Sequence, residues 1–236
     1  MTEKELRQKV VSTALAWLGT REYDAKHQEM LDIYNTQRPL PRGTRMLASW
    51  PWCAAFVSTV SLQCGLRDIM PTECGCPGMV RLYQEIGRWT ENDAYIPSPG
   101  DVIFYDWQDT GYGDNAGQPD HVGIVTACDG QTMTIIEGNC DNAVKTRSLA
   151  VNARFIRGYG VPDFASKADG AEPQPEPAPE PEKPAEESTV DPFITKTARE
   201  VIAGKWGNGQ ARRDALAAWF VKAVQDEVNR ILGGSA

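Results

Sequence analysis

Two residue types in this chain can act together as nucleophile and base, and both are scarce: six cysteines and two histidines in 236 residues. Cys53 stands directly after "SWPW" and opens the apolar run "CAAFVSTV". The run reads as a helix with Pro51 as its start signal. That puts Cys53 in the first turn, where unpaired N–H groups and the helix dipole stabilise a thiolate. A core thiol, a metal ligand or half of a disulfide are the alternatives at such a position. His27, in "DAKHQEML", reads as part of an exposed helix face. His121 opens an apolar alternation right after "GQPD", and that strand runs to "CDGQ", where Asp129-Gly130 signals a hairpin. Folding the hairpin there sets position 121 opposite 138, within one residue of Glu137 and Asn139. A thiolate, an imidazole and an acceptor that orients the imidazole form the set needed for acyl transfer through a covalent intermediate.

The elements that must position these groups change character along the chain. Leu6, Val10, Ala14, Trp17 and Leu18 form a helical stripe. Met30, Leu31 and Tyr34 mark a second helix, Cys53 to Cys64 a third, and Met79 to Ile86 a fourth. Strand-like runs follow: "DVIFYDW" from Asp101, "HVGIVTAC" from His121, "TMTIIEG" from Thr132, "VKTRSLAV" from Val144 and "FIRGYGV" from Phe155. Helices followed by a meander of strands predict an α+β domain.

That domain is predicted over 1–165. The segment 166–192, "SKADGAEPQPEPAPEPEKPAEESTVDP", alternates Pro with Glu and is nearly free of large apolar residues. It cannot bury enough surface to offset its ordering entropy and reads as a semi-stiff linker. Ordered-looking sequence resumes over 193–236. The overall charge of −8 divides as −5 over 1–165, −6 over 166–192 and +3 over 193–236. No basic face suited to nucleic acid emerges, so no nucleic-acid partner is expected. No apolar run approaches the ~18 residues of a membrane span, so no membrane partner is expected. The opening "MTEKELRQKVVSTALAWLG" mixes charges into its apolar positions and reads as no secretory signal. Synthesis in a reducing cytoplasm follows from this, and most of the six thiols are expected to be free.

The stretches "WCAAFVS", "PGDVIFYDW", "DHVGIV" and "IEGN", in this order and spacing, resemble the CHAP family of cysteine- and histidine-dependent amidohydrolases and peptidases. The resemblance covers 1–165 and implies a papain-like fold related to the NlpC type. It implies Cys53 as nucleophile, His121 as general base, and Glu137 and Asn139 as the residues that orient the imidazole, their order of importance left open. The tail "VIAGKWGNG … VQDEVNRIL" is similar to the short three-helix wall-binding repeat of certain phage lysozymes. It departs from that pattern at "LAAWFVKAV", where such repeats carry a small-residue turn. Trp206, Arg212 and Arg213 are candidate contacts to a sugar–peptide ligand. Of the two tryptophans before Cys53, Trp52 is assigned to substrate and Trp50 to packing of the helix start.

Together the two resemblances imply a phage or prophage endolysin that cleaves an amide bond of Gram-positive peptidoglycan. It would be an N-acetylmuramoyl-L-alanine amidase or a stem or cross-bridge endopeptidase, made in the host cytoplasm and acting on the wall after release. The rivals are a host-encoded NlpC-type wall hydrolase or toxin, a cysteine peptidase of proteins, and a wall-anchored protein without activity. A single repeat anchors weakly, so self-association into a homo-oligomer would raise avidity.

No cofactor is assigned. "ECGC" from Glu73 lacks the second ligand pair of a zinc site. The acidic loop "DWQDTGYGDNAGQPD" from Asp106 invites calcium, which some CHAP domains bind, but does not match an Asp-x-Asp-x-Asp-Gly loop. It reads instead as a solvated loop beside the substrate groove.

Overall fold

The computed structural model describes residues 1–109 and 115–169. Four helices come first: α1 (Glu3–Leu15), α2 (Ala25–Asn35), α3 (Cys53–Cys64) and α4 (Cys76–Glu85). Six strands follow: β1 (Trp89–Thr90), β2 (Val102–Tyr105), β3 (His121–Cys128), β4 (Thr132–Glu137), β5 (Lys145–Ala150) and β6 (Ile156–Gly160). They form one antiparallel sheet in the order β1-β6-β2-β3-β4-β5. This is the α+β architecture the sequence predicts.

The helix α3 is the hub. Its sequence is apolar nearly all round, the signature of a helix enclosed by protein, and ten of its twelve residues are buried. The hydroxyls it carries inward are all matched. Ser58 donates to the Glu73 carbonyl at 2.7 Å, Thr59 to Met30 at 3.1 Å and Ser61 to Met70 at 2.5 Å. These bonds satisfy groups that would otherwise be costly to bury and fix α3 against α2 and the segment leading to α4. The helix ends at Gly65, which takes the left-handed conformation that glycine adopts without strain.

Phe104, Val122, Ile124 and Ile136 of the sheet join the helices in one large core. The alternate residues Ile103, Tyr105, Val125, Ile135 and Tyr159 build a smaller core on the other face. Alternation thus sends Val122, Ile124 and Ile136 to one side and Val125, Met133 and Ile135 to the other.

Two expectations about exposure are corrected. Leu18 is exposed, because α1 ends at Leu15 and the chain turns before the stripe can continue. His27 is fully buried. Positions 27, 30, 31 and 34 share one face of α2, so His27 belongs to the apolar stripe. Its Nδ1 accepts from the Tyr23 N–H at 3.0 Å and its ring lies 4.7 Å from that of Trp52. Burial pushes its pKa down, against the pull of Glu22 and Asp24. A neutral core histidine leaves His121 to do chemistry.

Candidate active site

Cys53 is the first residue of α3, preceded by Trp52 at the cap. The first N–H groups of a helix have no intrahelical partner, and the Ala54 N–H points at the Cys53 sulfur. A second thiol faces it: Cys76 Sγ, the first residue of α4, lies 3.7 Å from Cys53 Sγ. Cys53 is held well below the usual thiol range by the hydrogen bond from Cys76, with His121 adding to it against the cost of burial. Cys76 is pushed up in turn by its bond to that sulfur and by burial. The contact favours the charged form on Cys53 and the protonated form on Cys76.

His121 opens β3, close enough to Cys53 for the two side chains to interact. Its Nε2 lies 3.3 Å from Glu137 Oε2. Burial alone would lower the imidazole pKa. Its bonds to Cys53 and Glu137 outweigh that and raise it to about 9. Glu137 is fully buried, which would raise its pKa, yet His121 and Arg147 bring it down to about 2. The three groups favour one another's charged forms: Cys53 is drawn toward thiolate, His121 toward imidazolium and Glu137 toward carboxylate.

Sheet register creates this row. The turn of the β3–β4 hairpin falls on Gly130-Gln131, since Asp129 N–H donates to the Thr132 carbonyl at 3.1 Å. That is one residue later than the Asp129-Gly130 turn expected from sequence. A bulge between Val125 and Ala127 shifts the pairing again, to Gly123 opposite Glu137. Glu137 thus lies diagonal to His121 on the same face, within reach of a long side chain. Gly123 makes the diagonal passable: a Cβ there would stand 2.9 Å from Glu137 Cγ and 2.6 Å from Ile135 Cγ2. Gly138 plays the matching part toward the helix, where a Cβ would meet Phe56 Cβ at 2.5 Å and Trp52 at 3.0 Å.

The row extends beyond the residues picked from sequence. Arg147 on β5 pairs with Ile135, one diagonal from Glu137. Its Nε donates to Oε1 at 2.9 Å and its Nη2 to Oε2 at 3.0 Å. On the opposite side Tyr105 of β2 pairs with His121, with ring centroids 5.8 Å apart. Trp107 spans both ends, stacked on Tyr105 at 4.8 Å and lying under the Arg147 guanidinium at 4.9 Å. The signal for Arg147 was present: in "VKTRSLAV" the charges fall on alternate residues, hence on one face. Placing that face beside Glu137 required the register.

The other candidates separate. Asn139 lies just beyond β4 in a left-handed turn, φ +56°, and the contact at Nε2 is made by Glu137. Trp52 is fully buried against His27 and cannot offer a ring face to a substrate. Trp50 is the exposed one, at 42%, so it is Trp52 that packs the helix start. The cap residue must turn inward to start α3, which leaves its neighbour but one outside. Trp206, Arg212 and Arg213 lie outside the described residues, as does the three-helix reading of the tail.

Among the described residues no three His, Cys, Asp or Glu side chains are grouped to hold a metal ion. The "ECGC" sulfurs part company: Cys76 faces Cys53, while Cys74 accepts from Arg42 Nη2 at 3.0 Å. In the acidic loop, Asp106 Oδ1 accepts from the Gln108 N–H at 3.0 Å and Asp120 Oδ2 from the Trp107 N–H at 3.1 Å. Asp114 lies outside the described residues. No helix among the described residues is long and apolar enough to cross a membrane.

Two family models match the chain: the CHAP domain over residues 45–139 and the CW_7 repeat over residues 196–232. The first match spans Cys53, His121, Glu137 and Asn139. The lysozyme of Streptococcus phage Cp-7 is 55% identical over 40 residues, which is 16% of this chain and 12% of that lysozyme. The chain thus spans only about an eighth of the length of this relative. A solved structure, "The crystal structure of Ly7917", aligns with 66% of this chain and 62% of its own, at 13% identity and a TM-score of 0.37.

Proposed function

We propose that this chain, which carries a CHAP domain followed by a CW_7 repeat, is a peptidoglycan hydrolase of the phage endolysin kind that cuts an amide bond with Cys53. The observation that carries the reading is the row Cys53, His121, Glu137: a thiol at a helix start, an imidazole close enough to interact with it, and a buried carboxylate 3.3 Å from Nε2. Residues 1–165 are the catalytic domain, 166–192 a spacer and 193–236 the wall-binding module, with Trp206, Arg212 and Arg213 as its proposed ligand contacts. A repeat of a kind found in a phage lysozyme supports the wall as the target.

The reaction follows from the charges. The Cys53 thiolate adds to the amide carbonyl carbon. The oxyanion develops beside the unpaired N–H groups at the start of α3, a fixed positive field that needs no reorganisation. His121, held as imidazolium by Glu137, gives its proton to the leaving amine. The neutral imidazole then takes a proton from water, which attacks the thioester and frees Cys53. Glu137 stays ionised throughout because Arg147 neutralises it from behind. The cycle needs no cofactor.

The bond cut is an amide of Gram-positive peptidoglycan, either between muramic acid and L-alanine or within the stem or cross-bridge. Mass spectrometry of fragments released from purified wall, with the Cys53→Ala protein run alongside, decides between them. Stem peptides beginning at free L-alanine, with bare sugars, identify an amidase. Shortened stems or opened cross-bridges still attached to sugar identify an endopeptidase. Equal release by Cys53→Ala would overturn the reading altogether.

A further inference from the structure

Cys53 has a second partner that the proposed reaction does not consume. Cys76 begins α4 as Cys53 begins α3, so two helix N-termini aim at one pair of sulfurs 3.7 Å apart. Both side chains are buried, at 5% and 4%. The four remaining thiols are engaged elsewhere. Cys64 contacts Thr13 Oγ1 at 3.5 Å, Cys74 accepts from Arg42, Cys140 accepts from Arg147 Nη2 at 3.4 Å, and Cys128 accepts from the Gly130 N–H at 3.4 Å. Core packing alone would be served by an apolar residue at position 76. A thiol in contact with a thiolate offers chemistry instead.

We infer that Cys76 is a resolving thiol: when a peroxide oxidises Cys53, Cys76 captures the product as a Cys53–Cys76 disulfide, a reversible modification of the site. The electrons balance in two steps. The Cys53 thiolate attacks one oxygen of hydrogen peroxide, forming Cys53 sulfenic acid and releasing hydroxide. The Cys76 sulfur then attacks the sulfenic sulfur, the S–S bond forms, and the hydroxyl leaves as water with the Cys76 proton. Peroxide gains two electrons and the two sulfurs lose one each. Closing the gap to a bond of about 2.05 Å asks for a movement of under ~2 Å, within reach of side-chain rotation at two helix starts. A dithiol reverses the step. Without Cys76 the sulfenic acid would stay open to further, irreversible oxidation. That the link silences hydrolysis rests on the function proposed above; that it forms does not.

The test treats the full chain with hydrogen peroxide, alkylates the remaining thiols and maps tryptic peptides without reduction. Cleavage at Arg45, Arg67 and Arg81 separates 46–67, which holds Cys53 and Cys64, from 68–81, which holds Cys74 and Cys76. The expected result is a linked pair lighter by two hydrogens, assigned to Cys53 and Cys76 by fragmentation. Wall hydrolysis falls with the link and returns with dithiothreitol. In Cys76→Ser and Cys76→Ala, each checked for a wild-type circular dichroism spectrum, Cys53 should accumulate sulfinic and sulfonic acid and recovery should be lost. A link through Cys64 or Cys74, or the same over-oxidation of Cys53 in wild type, would overturn the inference. Should the reduced protein show no wall hydrolysis, the proposed function falls while the linked peptide still decides this point.

Discussion

Arg147 grips Glu137 at both carboxylate oxygens, and one of them, Oε2, is the oxygen that His121 Nε2 meets at 3.3 Å. The guanidinium and the imidazole thus share a single buried anion, one from each neighbouring strand. A bidentate fork holds a carboxylate in one plane, and that plane sets where the imidazole points. His121 is thus oriented through two strands, β4 and β5.

Replacing Arg147 tests this positioning role. Arg147→Met should lower kcat/KM by about tenfold, or ~1.4 kcal/mol of transition-state stabilisation. Leaving Glu137 buried without its clamp should also destabilise the domain by about 1–3 kcal/mol, discounted because Arg147 is one-third exposed. Arg147→Lys restores the charge without the fork and should recover stability more than activity. Loss of the guanidinium lets the Glu137 pKa rise, so the acid limb of the rate profile should move to higher pH. An unmoved acid limb in Arg147→Met would reduce Arg147 to a purely structural contact.

Gly123 is the narrowest point of the same row. In Gly123→Ala the new methyl meets Glu137 Cγ and Ile135 Cγ2 inside contact distance, with the Ile136 carbonyl at 3.0 Å. Overpacking of this kind costs about 1–3 kcal/mol. Because the methyl pushes on the carboxylate that orients His121, kcat should fall while binding of isolated wall is retained. Steady-state kinetics with a thermal melt separate the two effects. Full activity at reduced stability would show that Glu137 can reach His121 by another path.

Much of this was legible before the structure. The four helices and the five longer strands follow from period and punctuation, and Cys53 and His121 stand out by their places at element ends, while Glu137 and Asn139 stood unranked across the hairpin. What was not legible depends on register and depth. The hairpin turn falls one residue later and the Thr126 bulge takes back part of the resulting shift in pairing, and neither leaves a local sequence mark. His27 and the two tryptophans were misplaced because exposure is set by what packs on a helix, not by the charges beside it. Arg147 and Trp107 belong to the site through strands β5 and β2, far from Cys53 in sequence.

The tryptophans give a clean contrast. Trp52→Ala empties the space beneath α3 and should cost about 3–5 kcal/mol, the range for deleting a buried aromatic. Trp50→Ala removes an exposed ring two residues before Cys53's cap neighbour and should leave the melting temperature nearly unchanged. If the exposed ring meets substrate, Trp50→Ala raises KM with kcat preserved. A large drop in stability for Trp50→Ala would contradict the burial assigned to the pair.

The site also makes a signed prediction about stability and pH. Glu137 has its pKa lowered from 4.5 to about 2, so its contribution is full above 4.5 and lost as pH falls toward 2. His121 has its pKa raised from 6.5 to about 9. Its contribution is full below 6.5 and lost as pH rises through about 9. Cys53 is lowered below 9.0, so its contribution is full above 9.0 and lost as pH falls through the folded value. Between 6.5 and 9 the last two oppose each other. The folded state keeps a proton on His121 that the unfolded chain has given up, and lacks one on Cys53 that the unfolded chain still holds. Wild-type stability from this pair should therefore change less across that window than His121 alone would make it change. Cys53→Ala removes one side of the balance while Glu137 still supports the imidazolium. With the support of Cys53 gone and that of Glu137 left, its stability should decline as pH rises above 6.5, over a narrower span than the wild-type His121 value would set, by on the order of 1 kcal/mol. Urea titrations of both proteins at intervals across the window measure this directly, and a level profile for Cys53→Ala would mean that Glu137 alone does not hold the proton on His121.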